Sequence, residues 1–174
     1  PNEMKHDRDK VLAFLKKHTT SPLDANAVYA AALDRARSQD KNVFVHFGAP
    51  WCGWCHRLED WMAKPEVAQL LDRDFVEVKI DTDRMTGGAD LLKKFRGSDK
   101  GGIPWFVFMD ATGKPIIASD GPKGNVGFPA APEEIEHFEA MLAKSARTLT
   151  KDEQKRIIES LRTDKKPAAV PTGG

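Results

Sequence analysis

The feature that most constrains this chain is a pair of cysteines, Cys52 and Cys55, placed directly after a short apolar run. They are the two cysteines of the 174-residue sequence, so no disulfide scaffold is available to it. A bridge across two intervening residues closes almost no loop and therefore restricts the unfolded chain very little. The pair makes little sense as a structural staple, and we expect it to be chemically active.

The residues around the pair predict alternating strands and helices. Residues 43–47 form an apolar, β-rich run typical of a strand buried on both faces, and residues 75–81 alternate as a second strand. Between them a helix is predicted over 53–62, with Pro65 kinking it or beginning a new turn. The remaining predicted elements are helices over 24–38, 89–95, from 132 onwards and 150–161, and strands over 103–109 and 114–119 joined by a turn at 110–113. A parallel pair followed by a hairpin predicts an α/β fold, with a mixed central sheet of about four strands and helices on both faces.

Length and charge favour one domain with short appendages. We predict an N-terminal arm with a short lead-in helix over residues 1–22, a main domain over 23–148, an appended C-terminal helix over 149–163 and a disordered tail over 164–174. Thr150 and Glu153 are spaced as a capping box for the appended helix. The net charge of +1 gives no bulk attraction to nucleic acid, and no stretch is apolar enough to span a bilayer. We therefore expect no nucleic-acid partner, no membrane span and a monomer.

Cys52 is predicted to lie at the junction between the apolar strand and the following helix. Unpaired backbone N–H groups and the helix dipole favour a thiolate over a thiol there, by roughly 0.3–2 kcal/mol. Cys55 lies one turn further along and is expected to be more buried. By position, Cys52 is the candidate attacking thiol and Cys55 the candidate resolving thiol.

Three motifs together resemble the thioredoxin superfamily: Trp51-Cys52-Gly53-Trp54-Cys55 after the apolar strand, Lys79-Ile80-Asp81 on the next strand, and Ile103-Pro104 at the start of the third. The resemblance covers about residues 24–147. It implies a thioredoxin fold and thiol–disulfide exchange, with the Cys52–Cys55 disulfide as the redox centre and no further cofactor. In that family the proline is cis and lies beside the cysteines, where the adjoining backbone pairs with bound substrate. Pro104 and its neighbour Ile103 would inherit this role.

Within the superfamily, the likeness is to the thioredoxin-like domains of secreted bacterial proteins and to small endoplasmic-reticulum thiol oxidoreductases. The segment Gly101-Gly102-Ile103-Pro104 and residues 124–129 carry it. It implies disulfides or dithiols of other proteins as substrates and a second redox protein as partner. With the absence of further cysteines and of an initiator Met, it favours an extracytoplasmic protein, periplasmic or secreted, and leaves a cytoplasmic one open.

Several positions near the pair depart from the family pattern or could tune it. His46 stands where thioredoxins usually bury an aspartate that relays a proton, and imidazole could act as a base or, when charged, favour the thiolate. Lys79 could tune the buried site, as in the family. The indoles of Trp51, Trp54 and Trp105 are candidates for substrate contact. For each of these residues a structural role in packing or solvation remains the alternative.

Three other interpretations remain open. Cys52, Cys55 and His56 satisfy the CxxCH pattern of c-type haem attachment, in which His56 would be one axial ligand. The candidates for the second axial ligand are Met62, Met85, Met109 and His137. His46 and His56 could also join the two sulfurs around zinc or copper, although we expect His56 to point away from them and predict no metal site. Finally, the chain could hold partners as a non-catalytic thioredoxin-fold binding module. The sequence does not indicate whether the exchange reduces or oxidises its substrates.

Overall fold

A four-stranded mixed sheet with helices on both faces forms the centre of the computed structural model, which describes residues 22–98 and 100–164. The helices are α1 (Ala25–Gln39), α2 (Gly53–Met62), α3 (Pro65–Asp74), α4 (Gly88–Arg96), α5 (Pro132–Ser145) and α6 (Lys151–Thr163). The strands of the main sheet are β1 (Asn42–Gly48), β2 (Phe75–Asp81), β3 (Trp105–Met109) and β4 (Pro115–Ala118). Two further short strands, β5 (Asp120–Gly121) and β6 (Gly124–Asn125), pair with each other in a separate two-stranded sheet.

The main sheet has the strand order β2-β1-β3-β4. Strand β1 runs parallel to β2, which the α2–α3 crossover allows, and antiparallel to β3. Strands β3 and β4 form an antiparallel hairpin. The predicted mixed sheet of about four strands is confirmed, and the strand carrying the residues before the cysteines lies at its centre.

Alternate residues of the central strands point to opposite faces of the sheet, where they enter two separate hydrophobic clusters. Phe44, Phe106 and Phe108 face a cluster built with α2, α3, α5 and α6. Val45, Phe47 and their neighbours face a second cluster built with α1 and α4. Because β1 is buried on both faces, its sequence is a nearly continuous apolar run rather than an alternating one.

The helix ends follow local chemistry. Asp24 caps α1 by accepting a hydrogen bond from the Ala27 amide (2.8 Å). Pro65 lies in the first turn of α3, so it begins a separate helix instead of kinking α2. The predicted capping box at the start of α6 is confirmed, since the side chains of Thr150 and Glu153 each accept from the other residue's amide.

Asp74, at the end of α3, joins that helix to the segment leading into α6. Its buried carboxylate accepts hydrogen bonds from the amides of Arg147, Thr148 and Leu149 and from the Thr148 hydroxyl. Burial alone would raise the pKa of Asp74, but these donors together hold it below the ordinary value. The hydrogen bonds to the Asp74 carboxylate thus attach the segment before α6 to the end of α3.

The structure differs from the sequence predictions at several boundaries. Strand β3 begins at Trp105 rather than at residue 103, because Pro104 has no N–H to give to a strand ladder. The predicted loop over 120–131 contains the β5–β6 hairpin, whose two-residue strands are too short to give a periodic pattern. The predicted arm over 1–22 and tail over 164–174 lie almost wholly outside the described residues, and the division into domains stays a prediction.

Candidate functional site

Cys52 and Cys55 are joined in a disulfide at the start of α2. Cys52 is the N-cap residue of that helix, and its Sγ accepts a hydrogen bond from the Cys55 amide (3.1 Å). Both residues are buried. An amide donor and the positive end of the helix dipole thus act on the Cys52 sulfur, which is the environment that stabilises a thiolate once the bond is reduced.

Ile103 and Pro104 lie next to the disulfide, where the resemblance to thioredoxins implies they should be. The peptide bond between them is cis. The Ile103 carbonyl oxygen lies 3.6 Å from Cys52 Sγ, and Ile103 packs against the small cluster that Ala49 forms with the two cysteines. A disulfide sulfur carries no hydrogen to donate, so this distance is a contact in the oxidised state and becomes a possible hydrogen bond in the reduced one.

Asn125 fixes the backbone of residues 102–104 by hydrogen bonds. Its side-chain amide donates to the carbonyl oxygens of Gly102 (3.0 Å) and Pro104 (2.9 Å). Its oxygen accepts from the Ser119 hydroxyl at 2.8 Å. The short β5–β6 hairpin therefore fixes the position of the segment that contacts Cys52.

Trp51 is the most exposed of the three large apolar side chains exposed in the described chain, at 71%. Its indole Nε1 donates to Asp83 Oδ2 (2.8 Å), on the turn after β2. Asp81 shapes that turn by accepting from the amides of Asp83 and Arg84. Burial would raise the pKa of Asp81, but the Arg84 and Asp83 hydrogen bonds and the Arg84 charge hold it below its ordinary value. The ring is oriented by a polar contact beside the disulfide.

Trp54 is 45% exposed and stacks on Phe128, with ring centroids 6.2 Å apart. The guanidinium of Arg57 lies 4.6 Å from the Phe128 centroid and 5.5 Å from that of Trp54. Arg57 also donates through Nε to Asp164 Oδ2 (3.1 Å), just after α6. Arg57 and Phe128 were not among the predicted site residues, because nothing local in the sequence connects either of them with Trp54.

A groove of about 740 Å³ runs beside the disulfide. It is bounded by α2, the segment around the cis proline, and the chain from β6 to the start of α5. Its apolar lining consists of Trp54, Ile103, Pro104, Val126, Phe128 and Ala130. A concave surface with apolar side chains next to a reactive pair is the kind of site that accepts a segment of another chain.

Trp105 does not contribute to this groove, and the prediction that it contacts substrate is wrong. It is 1% exposed and packs in the second cluster, where its centroid lies 5.7 Å from that of Phe47. Its indole N–H donates to Asp120 Oδ2 at 2.6 Å. Pro104 and Trp105 are adjacent in sequence, but Trp105, the first residue of β3, points to the face of the sheet opposite α2.

His46 and Lys79 are cross-strand partners on β1 and β2, and the side chain of each contacts a glutamate. The buried His46 places Nε2 3.0 Å from Glu77 Oε1. Lys79 places Nζ 2.6 Å from Glu59 Oε1. The contacts of both side chains are thus with carboxylates rather than with a sulfur, and their predicted tuning role stays a prediction.

Glu59 is a further site residue that the sequence analysis missed. The position that a β-carbon would take on Gly48 lies 3.3 Å from Cys55 Sγ and 3.8 Å from Glu59 Oε1. The Glu59 carboxylate and Cys55 Sγ thus both border the space beside Gly48. The signal was present in the sequence, because a residue four positions after Cys55 on a helix shares its face.

The haem and metal interpretations gain no supporting geometry. His56 places Nε2 2.7 Å from the Pro50 carbonyl oxygen, and both sulfurs are engaged in the disulfide. In the part of the chain that the structure describes, no three His, Cys, Asp or Glu side chains are grouped so that they could hold a metal ion. Nor is any helix of residues 22–98 and 100–164 long and apolar enough to cross a membrane.

Comparison with known proteins places this geometry in a family. The family Thioredox_DsbH, described as "Protein of unknown function, DUF255", matches residues 3–162. Human spermatogenesis-associated protein 20 is 29% identical over 120 residues, which are 67% of this chain and 15% of that protein. The chain thus spans a small part of the length of such curated relatives.

Two solved structures share the fold. A disulphide isomerase from Xylella fastidiosa superposes with a TM-score of 0.57 at 24% identity, covering 69% of this chain and 92% of that one. A protein from Bacteroides thetaiotaomicron, assigned provisionally to the disulphide isomerases, has a TM-score of 0.50 at 29% identity and covers 66% and 87%. With its mixed sheet and its disulfide at the start of α2, the chain is a thioredoxin-like protein that belongs to the Thioredox_DsbH family.

Proposed function

We propose that this chain is a thiol–disulfide oxidoreductase that exchanges disulfides with other proteins, with Cys52 as attacking thiol and Cys55 as resolving thiol. One observation carries the proposal. The disulfide has one sulfur at the N-cap of a helix, where it accepts an amide hydrogen bond and lies beside the Ile103 carbonyl. The provisional assignment of the Bacteroides protein to the disulphide isomerases supports the same chemistry.

The exchange takes place in two steps. In the first, the Cys52 thiolate attacks a substrate disulfide, a bond forms between Cys52 Sγ and one substrate sulfur, and the other substrate sulfur leaves as a thiolate that takes a proton from water. In the second, Cys55 loses its proton and attacks Cys52 Sγ. The Cys52–Cys55 bond forms, and the second substrate sulfur leaves. Two electrons pass from the cysteine pair to the substrate, and the same steps in reverse install a disulfide.

The groove supports an extended polypeptide as the substrate. Trp54, Phe128, Ile103 and Pro104 present apolar surface beside Cys52. The backbone around the cis proline is the element that pairs with bound chain in the thioredoxin superfamily, and we propose the same role for Ile103 and Pro104. The indole of Trp51, which Asp83 orients, covers the opposite flank of the pair in this proposal.

We further propose that the chain works as a monomer with a separate redox protein that regenerates its cysteine pair. An extracytoplasmic location, periplasmic or secreted, is favoured because the sequence carries no cysteine beyond the reactive pair.

Reduction of insulin by dithiothreitol, followed by turbidity, tests the proposal. The wild-type protein should accelerate the reaction, and Cys52→Ser should abolish the acceleration. Cys55→Ser should instead accumulate a mixed disulfide with substrate that mass spectrometry detects. A Cys52→Ser variant with full activity would refute the scheme. A redox titration against glutathione then gives the direction in which the exchange runs.

The non-catalytic alternative predicts a different outcome. A pure binding module keeps its affinity for a partner chain when both cysteines are replaced by serine, and it does not accelerate insulin reduction. Replacing both cysteines therefore separates the two functions in one variant, with binding measured by calorimetry and turnover measured in parallel.

A further inference from the structure

His56, which completes the CxxCH pattern, takes no part in the proposed exchange, yet the structure gives it a defined contact. Its Nε2 lies 2.7 Å from the Pro50 carbonyl oxygen. A carbonyl oxygen can only accept, so Nε2 carries a hydrogen and donates it. The other ring nitrogen, Nδ1, lies 3.9 Å from Glu59 Oε2. The imidazole thus joins α2 to the chain just before Cys52 and has a partner on both sides.

Pro50 and Trp51 form the middle of a tight turn that leads into the cysteine pair. The turn is closed by a hydrogen bond from the Cys52 amide to the Ala49 carbonyl oxygen (3.1 Å). The pyrrolidine ring fixes φ of Pro50, so the orientation of the peptide between Pro50 and Trp51 depends on ψ of Pro50 and φ of Trp51. A hydrogen bond to the Pro50 carbonyl restrains both angles. His56 therefore fixes the backbone from which the Trp51 side chain projects.

Trp51 is restrained at its other end as well. Its indole Nε1 donates to Asp83 on the turn after β2, although the side chain is 71% exposed. An exposed aromatic ring that is already fixed loses little conformational entropy when another chain covers it. Tryptophan is also among the residues that contribute most to the affinity of protein interfaces. An indole held in this way beside a reactive disulfide is suited to anchor a polypeptide during the exchange.

We propose that His56 is a positioning residue for substrate binding. Its hydrogen bond to the Pro50 carbonyl holds the indole of Trp51 in the orientation that contacts a bound polypeptide. This inference rests on the function proposed above. His56 acts through Trp51 and forms no bond to sulfur. Its loss should therefore weaken the binding of a polypeptide substrate and leave the reactivity of Cys52 unchanged.

Two assays separate binding from reactivity. Steady-state reduction of insulin gives KM for a polypeptide. Stopped-flow reaction of the reduced protein with 5,5′-dithiobis(2-nitrobenzoate), a small disulfide, follows the cysteines: attack by Cys52 releases a first thionitrobenzoate, and resolution by Cys55 releases a second. His56→Ala should raise KM roughly two- to tenfold, the factor that corresponds to one hydrogen bond, and leave the first phase unchanged.

Two further substitutions at the same position identify the N–H donor as the group that matters. In His56→Gln the side-chain amide can take the place of the imidazole Nε2–H, so KM should return towards the wild-type value. In His56→Phe the ring is kept but the donor is lost, so KM should rise as in His56→Ala. A normal KM in a folded His56→Phe variant would contradict the inference.

A double-mutant cycle shows whether His56 acts through Trp51. In a Trp51→Ala background, His56→Ala should leave KM for insulin unchanged, because no indole remains to be positioned. His137 is the matched control, because its Nε2 also lies near a backbone carbonyl oxygen, that of Ala118 at 3.0 Å, outside the turn before Cys52. Whatever factor His137→Ala gives in the wild type, it should give again in the Trp51→Ala background.

An equal rise in KM from His56→Ala with and without Trp51 would overturn the inference, since His56 would then act elsewhere. A slower first phase at an unchanged KM would overturn it too, because the imidazole would then act on the Cys52 sulfur. If the wild type fails to accelerate insulin reduction, the proposed oxidoreductase function itself is refuted. The two failures are therefore distinguishable.

Discussion

Replacing Trp54 by alanine should weaken substrate binding without impairing the cysteine pair. Trp54 forms the wall of the groove next to the disulfide and stacks on Phe128. In the proposed exchange, its ring takes part in no bond-forming or bond-breaking step. The expected effect is therefore on KM for a polypeptide substrate rather than on the attack of Cys52 on a small disulfide.

The size of the effect follows from the exposed area of the ring. A tryptophan side chain buries about 150–250 Å² when fully covered, and Trp54 keeps 45% of its surface exposed in the free protein. Covering all of that remainder is worth about 2–3 kcal/mol at ~25 cal/mol per Å². A substrate segment that covers half of it gains about 0.8–1.4 kcal/mol, so Trp54→Ala should raise KM for insulin roughly four- to tenfold.

Leu23→Ala is the control for this variant. Leu23 is also a large exposed apolar side chain, at 62%, but it does not line the groove. Steady-state insulin reduction gives KM for both variants, and the first phase with 5,5′-dithiobis(2-nitrobenzoate) gives the intrinsic reactivity of Cys52. Equal KM values for Trp54→Ala and Leu23→Ala would refute the assignment of the groove as the substrate site.

Two further predictions concern the framework of the site. Asp74→Asn should lower the free energy of unfolding by roughly 2–4 kcal/mol. The asparagine side chain keeps one acceptor oxygen, but its N–H₂ group replaces the other oxygen and faces backbone amides that are themselves donors. Because the pKa of Asp74 is lower in the folded protein than the ordinary 3.8, its stabilisation is complete above about pH 4 and is lost as the pH falls through the folded value. Urea unfolding from about pH 7 to about pH 2 should therefore show a steeper acid loss in the wild type than in the variant, and parallel curves would contradict this. Asn125→Ala removes the donors to the Gly102 and Pro104 carbonyls. It should lower the free energy of unfolding by roughly 1–3 kcal/mol and raise KM for insulin. An unchanged urea midpoint would show that these hydrogen bonds contribute nothing to stability.

The elements that position the site could be predicted because their signals are local. The continuous apolar run of β1 reflects burial on both faces of the sheet, and the alternation of β2 reflects burial mainly on one face. The order of strands and helices along the chain is then compatible with few sheet topologies. The cysteine pair follows β1 directly, so its location at a strand–helix junction needs no tertiary information. Glu59 also belongs to this class, because the helical period alone places it on the face of Cys55.

The rest of the site depends on contacts between distant segments. Trp54 meets Phe128 through the packing of α2 against the chain before α5, which no local pattern specifies. Trp105 follows a proline beside the disulfide, yet the strand pleat turns it to the other face, so proximity in sequence gave the wrong expectation. The β5–β6 hairpin is too short for periodicity to reveal, although Asn125 within it holds the cis-proline segment.

The position of Arg57 has a consequence for how substrate binding and folding are coupled. Its guanidinium stacks on Phe128 in the groove and also pairs with Asp164 at the end of α6. A ligand in the groove that restrains the Arg57 side chain raises the free energy needed to detach α6. Because such coupling is reciprocal, attachment of α6 raises the affinity for the ligand by the same factor. The attachment of α6 is in this way coupled to the proposed substrate site, and the amide hydrogens of α6 should exchange more slowly when the groove is filled.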